Sequence, residues 1–74
     1  MKTIILGHNA DGEIRYIETL AANGVRGTGI TADKTKATIF DSWEDATIML
    51  RALEKYGTWL YRWRVRDAVI KPCD

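Results

Sequence analysis

The first 31 residues follow the two-residue period of β-strands. The β-branched run Thr3–Leu6 predicts a first strand. Residues 7–12 are rich in Gly, Asn and Asp, which favours a hairpin loop after it. Residues 13–20 alternate imperfectly and predict a second strand. The alternation places Ile14, Tyr16 and Leu20 on one face of this strand and Glu13, Arg15 and Thr19 on the other.

A third strand is predicted at Val25–Thr31. The preceding Asn23-Gly24 pair is the strongest short hairpin signal, because both residues tolerate the positive φ that a tight turn requires. Gly27 and Gly29 interrupt the strand and weaken it. The three strands together predict an antiparallel meander.

From Asp41 onward the period changes to that of a helix. Asp41 or Ser42 can cap the helix, since each has an acidic residue three positions later. Gly57 is the predicted C-terminal stop. The predicted apolar face consists of Trp43, Ala46, Met49, Leu50 and Leu53. The polar residues 33–37 before the helix predict a turn or one helical turn, and residues 38–40 should return the chain to the core.

The chain closes with a long predicted strand, residues 59–70. Its aromatic content and strict alternation favour a strand over a helix. One face carries Trp59, Tyr61, Trp63 and Val65, and the other carries Arg62, Arg64 and Arg66. The order β-β-β-α-β predicts one α+β domain over residues 1–74, a mostly antiparallel sheet packed on one amphipathic helix.

Composition limits the classes of protein that this sequence can form. A chain of 74 residues with 46% hydrophobic and 28% charged residues is expected to form one small domain with a thin stability margin. One cysteine, Cys73, and one histidine, His8, supply neither a disulfide nor the usual four ligands of structural zinc. No apolar run approaches the roughly 20 residues of a membrane span, and the amino terminus lacks a signal-peptide pattern. We therefore expect a cytoplasmic protein without membrane association.

Charge is distributed unevenly along the chain. The formal net charge is only +1, yet residues 51–66 carry five basic residues against the single acidic Glu54. Residues 1–50 carry five basic residues against seven acidic ones. The basic block also contains the three aromatic residues of the predicted closing strand, which makes it the most distinctive part of the sequence.

No motif in the sequence predicts catalysis, a cofactor or a bound metal. His8 near a strand end is expected to be a surface residue, and Cys73 a passive thiol near the chain terminus. Residues 27–29 (Gly-Thr-Gly) lack the remainder of a phosphate-binding loop. The acidic residues at 41, 44 and 45 are explained by the dipole of the helix that they begin. We expect a non-enzymatic protein without cofactors.

The arginines of the closing strand are the candidate partner-binding residues. Arg62, Arg64 and Arg66 would present three planar donors in a row, suited to carboxylates or phosphates. Arg51 and Lys55 on the preceding helix are outer candidates. Two functional interpretations stay open, an acidic protein surface and a nucleic-acid backbone.

A purely structural interpretation of the arginine row is equally open. The arginines could face solvent and pair with Glu13, Glu18 or Asp67 on or beside neighbouring strands. The aromatic residues on the opposite face could stack on bases, but they are better explained as core residues facing the helix. Aromatic residues and arginines on opposite faces cannot contact one base together, which weakens the nucleic-acid interpretation.

Part of the sequence resembles small phage and prophage accessory proteins. Residues 30–46 (ITADKTKATIFDSWEDA) and 61–65 (YRWRV) are similar to a pattern in which a Thr/Asp-Lys-x-x-Ala-x-x-Phe segment enters a helix opening Asp/Ser-x-Glu-x-Ala, followed by a closing strand. The similarity covers about half the chain, mostly at structural positions, and carries no catalytic residues. It implies a compact α+β module. Some such proteins are anti-CRISPR or other anti-defence inhibitors.

The resemblance completes the functional expectation. Many phage inhibitors are acidic mimics of DNA, and a chain with a net charge of +1 departs from that pattern. We therefore expect an inhibitor that binds a protein or ribonucleoprotein complex of the bacterial host, such as a CRISPR-Cas complex, through its arginines. The alternative is a small nucleic-acid-binding domain, and a homodimer stays open because a sheet edge needs protection.

Overall fold

The computed structural model describes residues 1–8, 12–56 and 68–73. It contains one four-stranded antiparallel sheet, in the order β3-β2-β1-β4, and one long α-helix. The predicted α+β class is confirmed. The elements are β1 (Thr3–His8), β2 (Ile14–Ala22), β3 (Val25–Thr31), a 3₁₀ helix (Lys34–Lys36), α1 (Trp43–Tyr56) and β4 (Val69–Pro72).

The hairpin of β2 and β3 forms at the predicted turn. Asn23 and Gly24 have φ angles of 53° and 78°, as a two-residue type I′ turn requires. The strands pair in continuous register from Ala22 opposite Val25 to Tyr16 opposite Thr31, without a bulge.

The buried face of β2 is not the more apolar of the two faces that the alternation defines. The buried residue of this strand is Ile17, which is 1% exposed, whereas Ile14 and Leu20 are 43% and 50% exposed. Ile17 shares its face with Arg15 and Thr19 because alternate residues of a strand point the same way. Counting apolar residues failed here because the helix covers only one face of the sheet, and the more apolar side of β2 is the uncovered one.

The core is a row of isoleucines across the sheet, covered by the helix. Ile5 pairs with Ile70 in β4, and Ile17 pairs with Ile30 in β3. All four side chains belong to or pack against one cluster. The other buried members of the cluster are Phe40, Ala46, Leu53 and Ala68.

Helix α1 begins at the predicted cap. The Asp45 backbone N–H donates to Ser42 Oγ at 3.1 Å, which identifies Ser42 rather than Asp41 as the capping residue. Ala46 and Leu53 are buried, and Met49 and Leu50 pack against the core from its border.

Trp43 does not belong to the buried face, contrary to prediction. Its side chain is 52% exposed. It precedes Ala46 by three residues, which places it about 60° around the helix from that buried side chain, at the margin of the apolar stripe.

The chain between the 3₁₀ helix and α1 enters the sheet between β1 and β2. Thr38 N–H donates to the Ile17 carbonyl at 2.8 Å, and Phe40 forms an antiparallel bridge with Thr3. The predicted return of residues 38–40 to the core is thus confirmed, with Phe40 8% exposed. As a consequence β1 pairs with β2 only at Leu6–His8.

The predicted closing strand is described only at its end. β4 runs from Val69 to Pro72, two residues beyond the predicted limit at Ile70. Gly57 and residues 59–67 of that prediction lie outside the described residues. In the ranges that are described, no helix has the length and apolar character to cross a membrane.

Candidate partner-binding surface

The side of α1 that points away from the sheet carries an exposed isoleucine beside two cations. Ile48, Arg51 and Lys55 are spaced three and four residues apart, so they lie on one helical face. All three are exposed, and Ile48 is 67% exposed. The buried Ala46 and Leu53 lie on the opposite side of the helix. We call Ile48, Arg51 and Lys55 the outer helix face.

The charges of α1 are separated along its axis. Glu44 and Asp45 occupy the first turn and Lys55 the last turn, each placed favourably for the helix dipole. Arg51 lies outside the last turn and makes no ion pair with any described residue. Two cations four residues apart repel by a few tenths of a kcal/mol. No described carboxylate therefore balances the charge of Arg51 within ion-pair distance.

Two of the five predicted partner-binding residues are placed by the structure. Arg51 and Lys55 lie together on the outer helix face, near the end of α1 at Tyr56. Arg62, Arg64 and Arg66 lie outside the described residues, as do the aromatic residues that alternate with them. The row of three arginines therefore stays a prediction from the sequence.

Ile48 was missed by the sequence reasoning. The sequence did contain a signal for it, because the helical period places Ile48 on the same face as the charged residues Glu44, Arg51 and Lys55. A large apolar side chain on the polar side of a helix adds nothing to the domain core, and Ile48 is the apolar member of the outer helix face.

The acidic residues proposed as internal partners of the arginine row are partly accounted for. Glu13 lies 3.8 Å from Arg15 Nη1, and that same nitrogen donates to the Ile14 carbonyl at 3.0 Å. Glu18 is half-buried in β2. Asp67 lies outside the described residues.

A shallow depression of about 380 Å³ lies beside the 3₁₀ helix. It is lined by Ile4, Lys34, Thr35, Ile39 and Cys73. Lys34 is the one charged side chain among these residues, and it is exposed. The depression has neither the enclosure nor the converging polar groups of a small-molecule site.

Asp33 organises the turn that forms this depression. Its Oδ1 accepts hydrogen bonds from Thr35 N at 2.9 Å and Thr35 Oγ1 at 2.6 Å. These bonds stabilise the ionised carboxylate and lower the pKa of Asp33 below its ordinary value of 3.8. The carboxylate therefore has a structural role as the cap of the 3₁₀ helix.

The remaining chemically reactive side chains stand apart from one another. His8 is exposed at the end of β1, and Cys73 is a half-buried free thiol after β4. Within residues 1–8, 12–56 and 68–73, no three His, Cys, Asp or Glu side chains lie close enough to hold a metal ion.

Comparison with known proteins identifies no relatives. No family model, no curated protein and no solved structure matches this chain.

Proposed function

We propose that this protein is a non-enzymatic binding protein that docks onto an acidic surface of a macromolecular partner. Its contacts are the outer helix face and the basic segment that follows it, with Arg51 and Lys55 supplemented by Arg62, Arg64 and Arg66. Each guanidinium would form charge-assisted hydrogen bonds with carboxylates of the partner.

One observation carries this proposal. Arg51 and Lys55 lie side by side with the exposed Ile48 at the end of α1 that enters the most basic stretch of the sequence. Five of the eleven Lys and Arg residues fall within residues 51–66. An apolar anchor beside a concentration of positive charge suits a partner that offers carboxylates around an apolar pocket.

The class of partner follows from the resemblance to phage accessory proteins. We propose a phage-type inhibitor whose target is a protein or ribonucleoprotein complex of the bacterial host, such as a CRISPR-Cas or other defence complex. The inhibitor would act in the host cytoplasm by covering a working surface of the complex. Because the chain carries a net charge of +1, it would not act as an acidic mimic of DNA.

The first experiment is affinity capture from bacterial lysates with and without nuclease, followed by mass spectrometry. The bait is tested as wild type and as the triple variant Arg62→Ala, Arg64→Ala, Arg66→Ala. We expect one defence complex to co-purify after nuclease treatment and to be lost with the triple variant. The double variant Arg51→Glu, Lys55→Glu should also lower the amount of this complex that is recovered.

The matched control removes the same kind of charge elsewhere. Lys34 and Lys36 are exposed on the 3₁₀ helix. A Lys34→Glu, Lys36→Glu variant should bind like wild type if the outer helix face and the following segment make the contact. Equal losses in both double variants would show that only total charge matters and would contradict the proposed surface.

The same experiment tests the nucleic-acid alternative. Recovery of nucleic acid alone, lost with nuclease, would replace the proposal with a phosphate-binding domain. The logarithm of its affinity for nucleic acid would then fall linearly with the logarithm of the salt concentration, because phosphate contacts release counterions.

The inhibitor role is tested by expressing the protein in a host with an active defence system. The wild-type protein should raise the plating efficiency of a targeted phage, and the triple variant should not.

A further inference from the structure

The outer edge of β3 is a long and regular strand edge. β3 is the terminal strand of the sheet, and its pairing with β2 spans all of Val25–Thr31 without a bulge. Among the described ranges, no strand pairs with its other side. Natural proteins protect such edges with Pro, Lys, bulges or short length, because unpaired backbone groups recruit another strand.

The backbone groups that point outward from this edge can be identified. The Ile17 carbonyl accepts from Thr38 N–H, on the side of β2 away from β3. Ile17 and Ile30 therefore form a non-hydrogen-bonded pair, and such pairs alternate with hydrogen-bonded ones along the ladder. By the same alternation Arg26, Thr28 and Ile30 direct their N–H and C=O groups away from β2.

These outward groups form a self-complementary set. If a second copy of β3 lies antiparallel with Thr28 opposite Thr28, then Arg26 of each copy lies opposite Ile30 of the other. Each of the three residue pairs can exchange two backbone hydrogen bonds. This register places Thr opposite Thr at the centre and no two like charges opposite each other, both of which favour pairing.

We propose that β3 is the interface of a homodimer, with a twofold axis at Thr28 and a sheet continuous through both copies. Pairing of this edge with its own copy yields a closed dimer rather than a fibre, because the same patch is used by both partners. The net charge of +1 per chain leaves little electrostatic repulsion between two copies. A domain of this size also gains more from association than a larger one, since its own core is small.

The test is sedimentation equilibrium of the purified chain at concentrations up to about 100 µM, where mass action favours even a weak dimer. We expect twice the mass of one chain for wild type. Thr28→Pro removes only an outward N–H, so we expect a folded monomer. The control Thr28→Val keeps that N–H and should remain dimeric. A wild-type monomer at every concentration, or a dimeric Thr28→Pro variant, would overturn the proposal.

If Thr28→Pro does not fold, a cysteine variant tests the β3 interface instead. In the register described, the two Thr28 Cα atoms lie about 5.5 Å apart, within the range that a disulfide spans. Thr28→Cys in a Cys73→Ser background should form a covalent dimer on mild oxidation. Ile48→Cys in the same background should not, and equal cross-linking of the two variants would exclude the β3 interface. No partner from the host is needed in either experiment, so the result is independent of the proposed function.

Discussion

Thr3 and Phe40 exchange two backbone hydrogen bonds across 37 residues of chain. Thr3 N–H donates to the Phe40 carbonyl at 2.9 Å, and Phe40 N–H donates to the Thr3 carbonyl at 2.8 Å. The Thr3 side chain, which is fully buried, also donates from Oγ1 to the Ser42 carbonyl at 3.2 Å. One residue of β1 thereby fixes both the segment that enters the sheet and the start of α1.

The buried Thr3 hydroxyl is expected to stabilise the fold measurably. Thr3→Val preserves shape but removes the hydrogen bond to Ser42, so we expect a loss of about 1 kcal/mol in the free energy of unfolding. This loss is measured by urea unfolding, with tryptophan fluorescence as the signal. Thr47→Val is the control, since its exposed hydroxyl bonds only to the Trp43 carbonyl of its own helix, and it should stay within about 0.5 kcal/mol of wild type. Equal effects in the two variants would contradict this account.

Ser42 and Asp41 are distinguishable as caps of α1. Ser42→Ala should lower the free energy of unfolding by about 1 kcal/mol, because the Asp45 N–H loses its acceptor. Asp41→Ala breaks only an exposed 3.9 Å contact with Lys2 and should change stability by less than about 0.5 kcal/mol. Thermal unfolding by circular dichroism compares them, and a larger loss for Asp41→Ala would reassign the cap.

The two hairpin glycines should respond in opposite directions to alanine. Gly24 has a φ of 78°, which an L side chain disfavours, so Gly24→Ala should destabilise by about 1 kcal/mol. Gly27 lies in β3 without positive φ and with open space at its Cβ position, so Gly27→Ala should stabilise by about 0.5 kcal/mol through the unfolded chain. Chemical denaturation of both variants checks the signs. A destabilised Gly27→Ala variant would show that the strand needs glycine there.

The face of β2 that contributes to the core is tested by two isoleucines. Ile17→Ala should cost about 2–5 kcal/mol because it leaves a cavity in the isoleucine row. Ile14→Ala should cost less than about 1 kcal/mol, since that side chain is already 43% exposed. Equilibrium unfolding of both variants measures these losses, and a larger loss for Ile14→Ala would contradict the assignment of Ile17 to the core.

The Asp33 turn predicts a small pH dependence of known sign. The folded-state pKa of Asp33 is lowered by its hydrogen bonds to Thr35, so its contribution to stability is present above the unfolded pKa and is lost as pH falls through the folded value. NMR titration should find the Asp33 pKa below 3.8 in wild type. Thr35→Val removes the side-chain bond and should raise that pKa. An unchanged pKa would show that the Thr35 hydroxyl is not the main cause.

Local signals in the sequence located the elements well. The Asn23-Gly24 turn and the Ser42 cap each depend on chemistry within a few residues, and both lie where the sequence placed them. The inner face of β2 and the burial of Trp43 depend on which surface the helix covers, which is a tertiary property. Alternation alone cannot distinguish a strand face that meets the helix from one that meets water.

The candidate surface was predictable only in part. Charge counting located Arg51 and Lys55, because a basic block is visible in one dimension. Ile48 was overlooked although its place among charged positions of the helix is visible in the sequence, because an isoleucine in a helix is ordinarily assigned to the core; its 67% exposure identified it. The entry of residues 38–40 between β1 and β2 had no sequence signal, because it results from hydrogen bonds between segments far apart in the chain.

The position of β1 in the sequence determines how early in synthesis its pairing within the sheet can be completed. β1 precedes both strands that it pairs with, and one of them, β4, comes after all the other described elements along the sequence. The β2–β3 hairpin needs only a two-residue turn to form, whereas the buried Ile4 and Ile5 must wait for Val69–Pro72. On the ribosome this apolar strand therefore waits for β4 longer than the described β2 and β3 wait for each other, and its unpaired edge is exposed to aggregation during that interval.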